Sequence, residues 1–345
     1  MLTVYTIEQS LEWDNIVRTF EKHDVYYLSG YVKAFQIHGD GEPLLFYYED
    51  NDVRGINVVM KRDIAKAPHF SDRLSENAYF DFATPYGYGG WLIEGNATEL
   101  LFEEYEEWCR QNGIVSEFVR FHPIVKNHLS CKARYEVVEL GNTVALDLSS
   151  AENIWANITV KNRNMIRKAQ KNGIRISNGR SPEIYEMFRE IYNGTMDKVN
   201  AASYYYFEEE FYRSLLNDLP RNAEVFFAEY DGKPVAASVF LFANGKMYYH
   251  LSGSVREYAH LAPTNLLLYE AALWGCANGC DTLFLGGGVG SEEDSLFRFK
   301  RSFYRGDDLN RFYVGKKILN PLAYDRLVEM KNTDVSGNYF PQYRG

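Results

Sequence analysis

Apolar and polar positions recur along the chain in blocks that read as strands and helices in a repeated order. Residues 1–30 predict a short strand and then a helix over roughly Ile7 to Phe20. Pro43 to Glu49 and Val53 to Lys61 predict two strands joined by the turn Asp50-Asn51-Asp52. The stretch Asp81 to Gly90 predicts a loop made flexible by Gly87, Gly89 and Gly90. A helix follows from Thr98 to Gln111, with Leu101, Tyr105 and Trp108 on one stripe and glutamates opposite, ending at Asn112-Gly113. Ile114 to Phe121 reads as a strand. Tyr135 to Leu140 and Thr143 to Leu148 read as a hairpin about Gly141-Asn142.

Ser149, with Glu152 three residues on, has the form of a capping box and predicts a helix start. Ile154, Ile158, Met165, Ile166 and Ala169 form its apolar stripe until Gly173 stops it, while Arg163, Arg167 and Lys171 line another face. Helical segments near Pro182–Thr195 and Phe207–Leu219 come next. Glu224 to Tyr230, Lys233 to Phe242 and Lys246 to Leu251 are three strands joined by Asp231-Gly232 and Asn244-Gly245, the strongest short-range hairpin signal. A helix from about Thr264 to Ala277 closes at Asn278-Gly279, and Leu283 to Leu285 is a strand running into Gly286-Gly287-Gly288. Ile318 to Met330 reads as a last helix and Val335 to Gly345 as a loose end.

The two halves share this order. In each, a strand meander and a loop precede a helix closing with Trp-x-x-x-Asn-Gly, at Trp108 to Gly113 and again at Trp274 to Gly279, and a strand follows. A duplicated α/β unit is the reading that fits. The expected boundaries are an N-terminal domain over 1–148, a C-terminal domain over 149–317, and a helix and tail over 318–345 that packs back on the first domain.

At 345 residues, 46% hydrophobic and 24% charged, the chain has the composition of a globular protein of two domains. It opens without a basic leader or an apolar run, and its longest apolar run, Val235 to Ala243, is too short to span a bilayer. Cys109, Cys131, Cys276 and Cys280 form no CxxC pair, and no His/Cys cluster has metal spacing, so a cytoplasmic protein with reduced cysteines and no metal is expected. A net charge of −10 argues against a general nucleic-acid binder, DNA included. One stretch departs from that balance: Trp155 to Arg180 holds no acidic residue but carries Lys161, Arg163, Arg167, Lys168, Lys171, Arg175 and Arg180.

Candidate chemistry sits at the glycine bend. Glycines let a substrate approach the backbone, and the amphipathic Ser295 to Phe303 presents Lys300 among aromatic residues such as Phe299. Acyl transfer to an amine needs an aligned acceptor and donors for a developing oxyanion, which Lys300 and the amides of Gly286, Gly287 and Gly288 could supply. Tyr304 is a candidate proton donor to the leaving hydroxyl. Ser252, Gly253 and Ser254 end a strand where backbone groups could hold the acyl donor. His250 reads as a core or cleft histidine. Each feature also has a plainer reading, as a glycine corner, a solvated basic face or an ordinary turn.

The order of elements resembles the Gcn5-related N-acetyltransferase (GNAT) fold, and two such units in tandem resemble the FemABX aminoacyltransferases. Lys161 to Gly173, Tyr248 to Ser254, and the triple glycine with Leu296-Phe297-Arg298-Phe299-Lys300 carry the likeness. It implies two tandem GNAT-like domains, each a mixed and mainly antiparallel sheet flanked by helices, in the short form without a coiled-coil arm. It also implies an acyl or aminoacyl transferase acting on an amine of a cell-wall peptide or similar small acceptor, with Lys300 beside the reacting ester. No tightly bound cofactor is implied. The donor would be aminoacyl-tRNA or acyl-CoA, with tRNA held by Arg163, Arg167 and Lys171. Tyr31 and Lys33 fall near the place where members bind a nucleotide-sugar phosphate.

Two departures bear on these expectations. The arginine that some members carry before the pair at Tyr206-Phe207 is missing from Val199 to Ser203, which puts a UDP-linked muropeptide acceptor in question. Ahead of the Thr264 helix stands Tyr258-Ala259-His260-Leu261-Ala262-Pro263, without the glycines of an acyl-CoA pyrophosphate loop. The alternatives are an acyl-CoA-dependent N-acyltransferase and a non-catalytic module of the same fold that binds RNA or another ligand.

Overall fold

The structure is a computed structural model that describes residues 1–70, 72–331 and 339–345. The chain forms two compact units: Met1–Leu140 with Phe312–Gly345, and Gly141–Arg311. The expected boundary at 148/149 thus falls inside the second unit. In chain order the elements are β1 (Leu2–Thr6), α1 (Ser10–Thr19), α2 (Ser29–His38), β2 (Glu42–Glu49), β3 (Val53–Asp63), β4 (Phe80–Ala83), β5 (Leu92–Gly95), α3 (Glu99–Gln111), β6 (Ile114–Arg120) and α4 (His128–Cys131). They continue with β7 (Glu136–Asp147), α5 (Ala151–Asn157), α6 (Val160–Lys171), β8 (Arg175–Gly179), α7 (Pro182–Lys198), α8 (Glu209–Asp218), β9 (Ala223–Tyr230), β10 (Lys233–Ala243), β11 (Lys246–Ser254), α9 (Pro263–Ala277), β12 (Thr282–Gly286), α10 (Ser295–Arg301), β13 (Asn310–Ile318) and α11 (Pro321–Lys331).

In the first unit β1, β2, β3 and β4 pair antiparallel, β4 and β6 pair parallel, and β6 and β13 pair antiparallel, with β5 beside β3. The α3 stripe lays Leu101, Phe102, Tyr105 and Cys109 on this sheet. Edge-to-face aromatic contacts fill the core: Phe46 lies 4.9 Å from Tyr105 and 4.8 Å from Trp108, ring centre to ring centre. The Asp81–Gly90 stretch is not the flexible loop expected. A side chain at Gly87 would strike the ring of Tyr26, and one at Gly90 would strike Val119 and Phe121. The carbonyl of Gly89 accepts from Asn127 Nδ2 at 2.8 Å, and that of Gly90 from the Tyr27 hydroxyl at 2.7 Å. Close packing and left-handed backbone, at φ +96° for Gly87 and +88° for Gly90, explain these glycines rather than mobility.

The end of the chain belongs to this unit. Asp81, fully buried, accepts from Arg62 Nε at 2.7 Å, from the Tyr343 hydroxyl at 3.1 Å and from Arg344. Residues 339–345 are therefore held against the sheet rather than loose, and 335–338 lie outside the described residues.

In the second unit the end of β7 pairs antiparallel with β12, β12 pairs parallel with β11, and β11, β10, β9 and β8 continue antiparallel. Asp231-Gly232 and Asn244-Gly245 have positive φ at both residues, which the two-residue hairpin turn requires. The expected hairpin about Gly141-Asn142 does not form, and β7 runs straight through both. Gly141 serves close approach instead, since a side chain there would meet the Ser291 carbonyl.

The helix expected from Ser149 to Gly173 is broken in two. Ser150, not Ser149, caps α5, its hydroxyl accepting from Asn153 N at 3.1 Å. Ile158 is extended, and Thr159 caps a new helix, α6, by accepting from Asn162 N at 3.4 Å. The break lets Ile154, Ile158, Ile166 and Ala169 all reach the core shared with α9.

The duplicated signature closes its helix in the same way each time. Asn112 and Asn278 each donate through Nδ2 to the carbonyl four residues back, Trp108 or Trp274, at 2.8 Å. Gly113 and Gly279 then turn left-handed, at φ +69° and +77°. The strand that follows pairs in parallel with its neighbour in both units.

Candidate active site

The parallel ladder between β11 and β12 is short. Lys246 to Tyr248 pair with Thr282 to Phe284, and the pairing stops there. β11 continues to Ser254 on β10, but its register shifts between Val239 and Phe240, leaving His250 as an extra residue. β12 instead bends through a second irregularity at Gly286, where φ is +79°. Two strands that part in this way leave a backbone edge of β11 without a strand neighbour on that side.

The glycine bend folds onto α10. A side chain at Gly288 would collide with the Glu292 carbonyl and the Asp294 carboxylate, so the bend needs glycine there. Asp294 caps α10, accepting from Phe297 N at 2.8 Å and from Val289 N at 3.4 Å, and those bonds hold its carboxyl below the ordinary range. Phe297 and Phe303 anchor α10 in the core, and half-buried Phe299 packs edge-on against Phe303 at 5.5 Å. One turn on from Phe297, Lys300 is 9% exposed and its Nζ donates to the Gly287 carbonyl at 2.6 Å. Burial pulls its pKa down to about 8, and the Asp294 carboxylate opposes that shift. The lysine is thus a buried cation at neutral pH, held against the glycine backbone by one hydrogen bond.

The other expected site residues divide. Ser252 shares a 2.9 Å hydrogen bond with Ser238. Gly253 lies beneath α7, so close that a side chain would press on the backbone of Ile191 and Tyr192. Ser254 is already engaged: its N donates to Thr195 Oγ1 at 2.9 Å and its carbonyl accepts from Lys198 Nζ at 2.9 Å. The Tyr304 hydroxyl donates to the Asp308 carboxylate rather than to the glycine bend, and that bond raises the phenol's pKa. Burial depresses His250 to about 3 and keeps it neutral. In the first unit, Tyr31 is fully buried, packed on Tyr26 at 5.1 Å and Phe35 at 5.0 Å, with its hydroxyl donating to the Tyr86 carbonyl. Lys33 is half-buried on the same helix, α2.

The basic helix α6 has a feature the sequence pattern did not show. The guanidinium groups of Arg163 and Arg167 stand over the ring of Trp155, at 5.9 Å and 5.1 Å from its centre. Among the described residues no carboxylate pairs with Lys161, Arg163, Arg167, Lys168 or Lys171. Other cations of the chain are paired, as Arg18, Arg54, Arg62, Arg189 and Arg213 are. Trp155 and Asp294 were the residues missed. Asp294 was legible as a cap ahead of Ser295 to Phe303, whereas Trp155 had no signal beyond lying before a basic run. Among the described residues there is no cluster of His, Cys, Asp and Glu fit to hold a metal, and no helix long and apolar enough to cross a membrane.

Known proteins share part of this chain's sequence and its fold. Residues 161–301 match the model of the acetyltransferase (GNAT) domain. A UDP-N-acetylmuramoylpentapeptide-lysine N(6)-alanyltransferase of Weissella viridescens is 28% identical over 173 residues, covering 49% of this chain and 50% of the relative. The chain thus spans about half the length of the curated relative it matches. A crystal structure of FemX superposes with a TM-score of 0.71 at 14% identity, covering 94% of this chain and 99% of that one. The C-terminal domain of a putative lysylphosphatidylglycerol synthetase from Agrobacterium fabrum gives 0.55 at 14% identity, covering 92% and 94%. At such identity the structural likeness is one of fold. The sequence likeness to the acetyltransferase (GNAT) domain thus covers the α6-to-α10 region, and the likeness of fold to FemX extends over nearly the whole chain.

Proposed function

We infer that the chain is an aminoacyltransferase that moves an aminoacyl group from a tRNA ester to an amine of a cell-wall peptide precursor. The observation that carries this is the Lys300 ammonium, buried and held on the Gly287 carbonyl where β11 and β12 part. A neutral amine attacks the ester carbonyl carbon, and negative charge gathers on its oxygen. A buried cation stabilises that charge more strongly than one in water, because little solvent screens it. The C–O ester bond then breaks, the amide remains, and the proton lost by the amine ends on the departing hydroxyl oxygen. Removing one oxyanion donor of this kind typically costs about 10²–10³ in rate.

Two observations favour an RNA-linked donor over acyl-CoA. The α6 face is cationic and free of carboxylate partners, with two guanidinium groups held on Trp155, as phosphate contacts require. The approach to α9 has Ala262 in the left-handed conformation and Pro263 at the first turn, where acyl-CoA binding would call for glycines. Ser252 and Gly286 to Gly288 would border the ester.

Incubation with alanyl-tRNA or with acetyl-CoA, each with UDP-N-acetylmuramoyl pentapeptide bearing lysine, tests the reading. Consumption of the tRNA ester with amide formation is expected, and Lys300→Ala should slow it by about 10²–10³-fold in a folded protein. Turnover with acetyl-CoA alone would favour the acyl-CoA reading. Salt-sensitive tRNA binding without turnover would favour a binding module.

A further inference from the structure

We propose that the first unit carries a separate site for a phosphorylated small molecule or headgroup, in a cleft of about 440 Å³ between α3, the start of β7 and the end of β13. Four cations line it: Arg110, Arg134, Lys316 and Lys317. Two of them are fixed. Lys317, 8% exposed, donates to Glu106 at 2.6 Å and stands over the rings of Tyr135 at 4.7 Å and Phe102 at 5.5 Å. Arg134 lies over Phe102 at 5.6 Å and reaches the same Glu106 carboxylate only at 4.0 Å.

One carboxylate therefore serves two cations, each of which also rests on an aromatic face. The other two cations have replaceable partners. Lys316 meets Glu136 at a loose 3.8 Å, with the glutamate side chain 69% exposed, and Arg110 pairs on the surface with Glu107 at 2.7 Å. Such exposed pairs contribute little, so an anion with two or more charges can displace both. Phosphate suits the arrangement because a guanidinium can bond two of its oxygens at once. The lining also includes the apolar Ile318, Leu319 and Phe340, which give the ligand's carbon part a surface. The volume falls in the range of small-molecule sites and exceeds what a bare phosphate fills. The site is unrelated to Lys300 and stands whether or not the aminoacyltransferase reading holds.

Titration calorimetry of the full chain with inorganic pyrophosphate at low salt tests the site. Saturable binding is expected, weakened about tenfold or more in the double variant R110Q/K316Q. E136Q should bind roughly twofold tighter, because it frees Lys316. Unchanged thermal midpoints will show that these exposed substitutions leave the fold intact. Absent binding, or equal affinity in R110Q/K316Q, overturns the proposal, as does a loss that appears in R163Q/R167Q instead. ADP and phosphatidylcholine vesicles carrying phosphatidic acid separate the sources. Tighter binding of ADP than of pyrophosphate assigns a soluble ligand, R110Q/K316Q-sensitive vesicle binding assigns a headgroup, and failure of both overturns the role of the apolar lining.

Discussion

Thr159 bonds the carbonyl oxygen of Ser302 twice, through its backbone N and through its hydroxyl, each at 3.0 Å. The residue that caps the basic helix α6 is thereby tied to the end of the helix carrying Lys300. Arg305 N adds a bond to the Asn157 carbonyl at 3.0 Å, so the elbow between α5 and α6 and the turn after α10 form one hydrogen-bonded corner. An RNA donor held on α6 would be fixed relative to Lys300 through this corner. Thr159→Val loses the cap, worth about 1 kcal/mol, together with the side-chain bond to Ser302. The unfolding midpoint should fall, and KM for the tRNA ester should rise several-fold, while Thr159→Ser restores both. Chemical denaturation and initial-rate kinetics on the three proteins check this.

Lys300 should be a stability cost that function retains. Its pKa is lowered from 10.5 to about 8, so between those values the native state binds fewer protons than the unfolded chain. Stability contributed at this position is then lowest below pH 8 and rises as pH climbs toward 10.5. At 1.36 kcal/mol per pH unit the cost below pH 8 is roughly 3 kcal/mol. Lys300→Met fills the same space without a charge. It should match or exceed the parent in urea stability at pH 7 and lose that advantage by pH 10, while turnover falls by about 10²-fold or more. A Met variant that unfolds earlier than the parent at pH 7 contradicts the burial argument.

How far the sequence carried these conclusions depended on whether the local signal and the tertiary role of a residue coincided. Asn244-Gly245 and Asn278-Gly279 were legible because their backbone conformation is itself what those residue types favour. Gly141 misled because its role is to let the Ser291 carbonyl come close, a contact between distant parts of the chain that no local rule records. The strand β13 escaped notice for a related reason. Phe312 and Val314 alternate as a strand should, but Lys317 is buried on Phe102 and Tyr135 and breaks the pattern. At the candidate site, the lysine and the glycines could be read from residue type. The parting of β11 from β12, the bulge at His250 and the stacking on Trp155 depend on register and packing, and the structure was needed for them.

The pH profile should report the lysine's charge. If the ammonium stabilises the oxyanion, activity falls as pH rises through about 8, while the need for a neutral acceptor amine makes it rise on the acid side. Asp294 raises the lysine's pKa against the effect of burial. Asp294→Asn keeps a good helix cap but removes that charge, so the alkaline limb of kcat should move to lower pH. A purely structural role for Asp294 would lower activity at all pH values and leave the limb where it was. Rate profiles of the two proteins between pH 6 and 10 distinguish these outcomes.

The unpaired cations of α6 make a prediction in salt. Each phosphate that a cation neutralises adds about 0.7 to the steepness of log affinity against log salt for a single strand, and about 0.9 for a duplex. Arg163→Gln with Arg167→Gln should therefore weaken tRNA binding and flatten the slope by about 1.4 to 1.8. Because both guanidinium groups rest on Trp155, Trp155→Leu should weaken binding while leaving the slope nearly unchanged, since it disorders the cations without removing them. Filter binding of tRNA across a salt series measures all three. Equal slopes for the parent and the double arginine variant would place the RNA interface elsewhere on the chain, and with it the case for an RNA-linked donor would lose its main support.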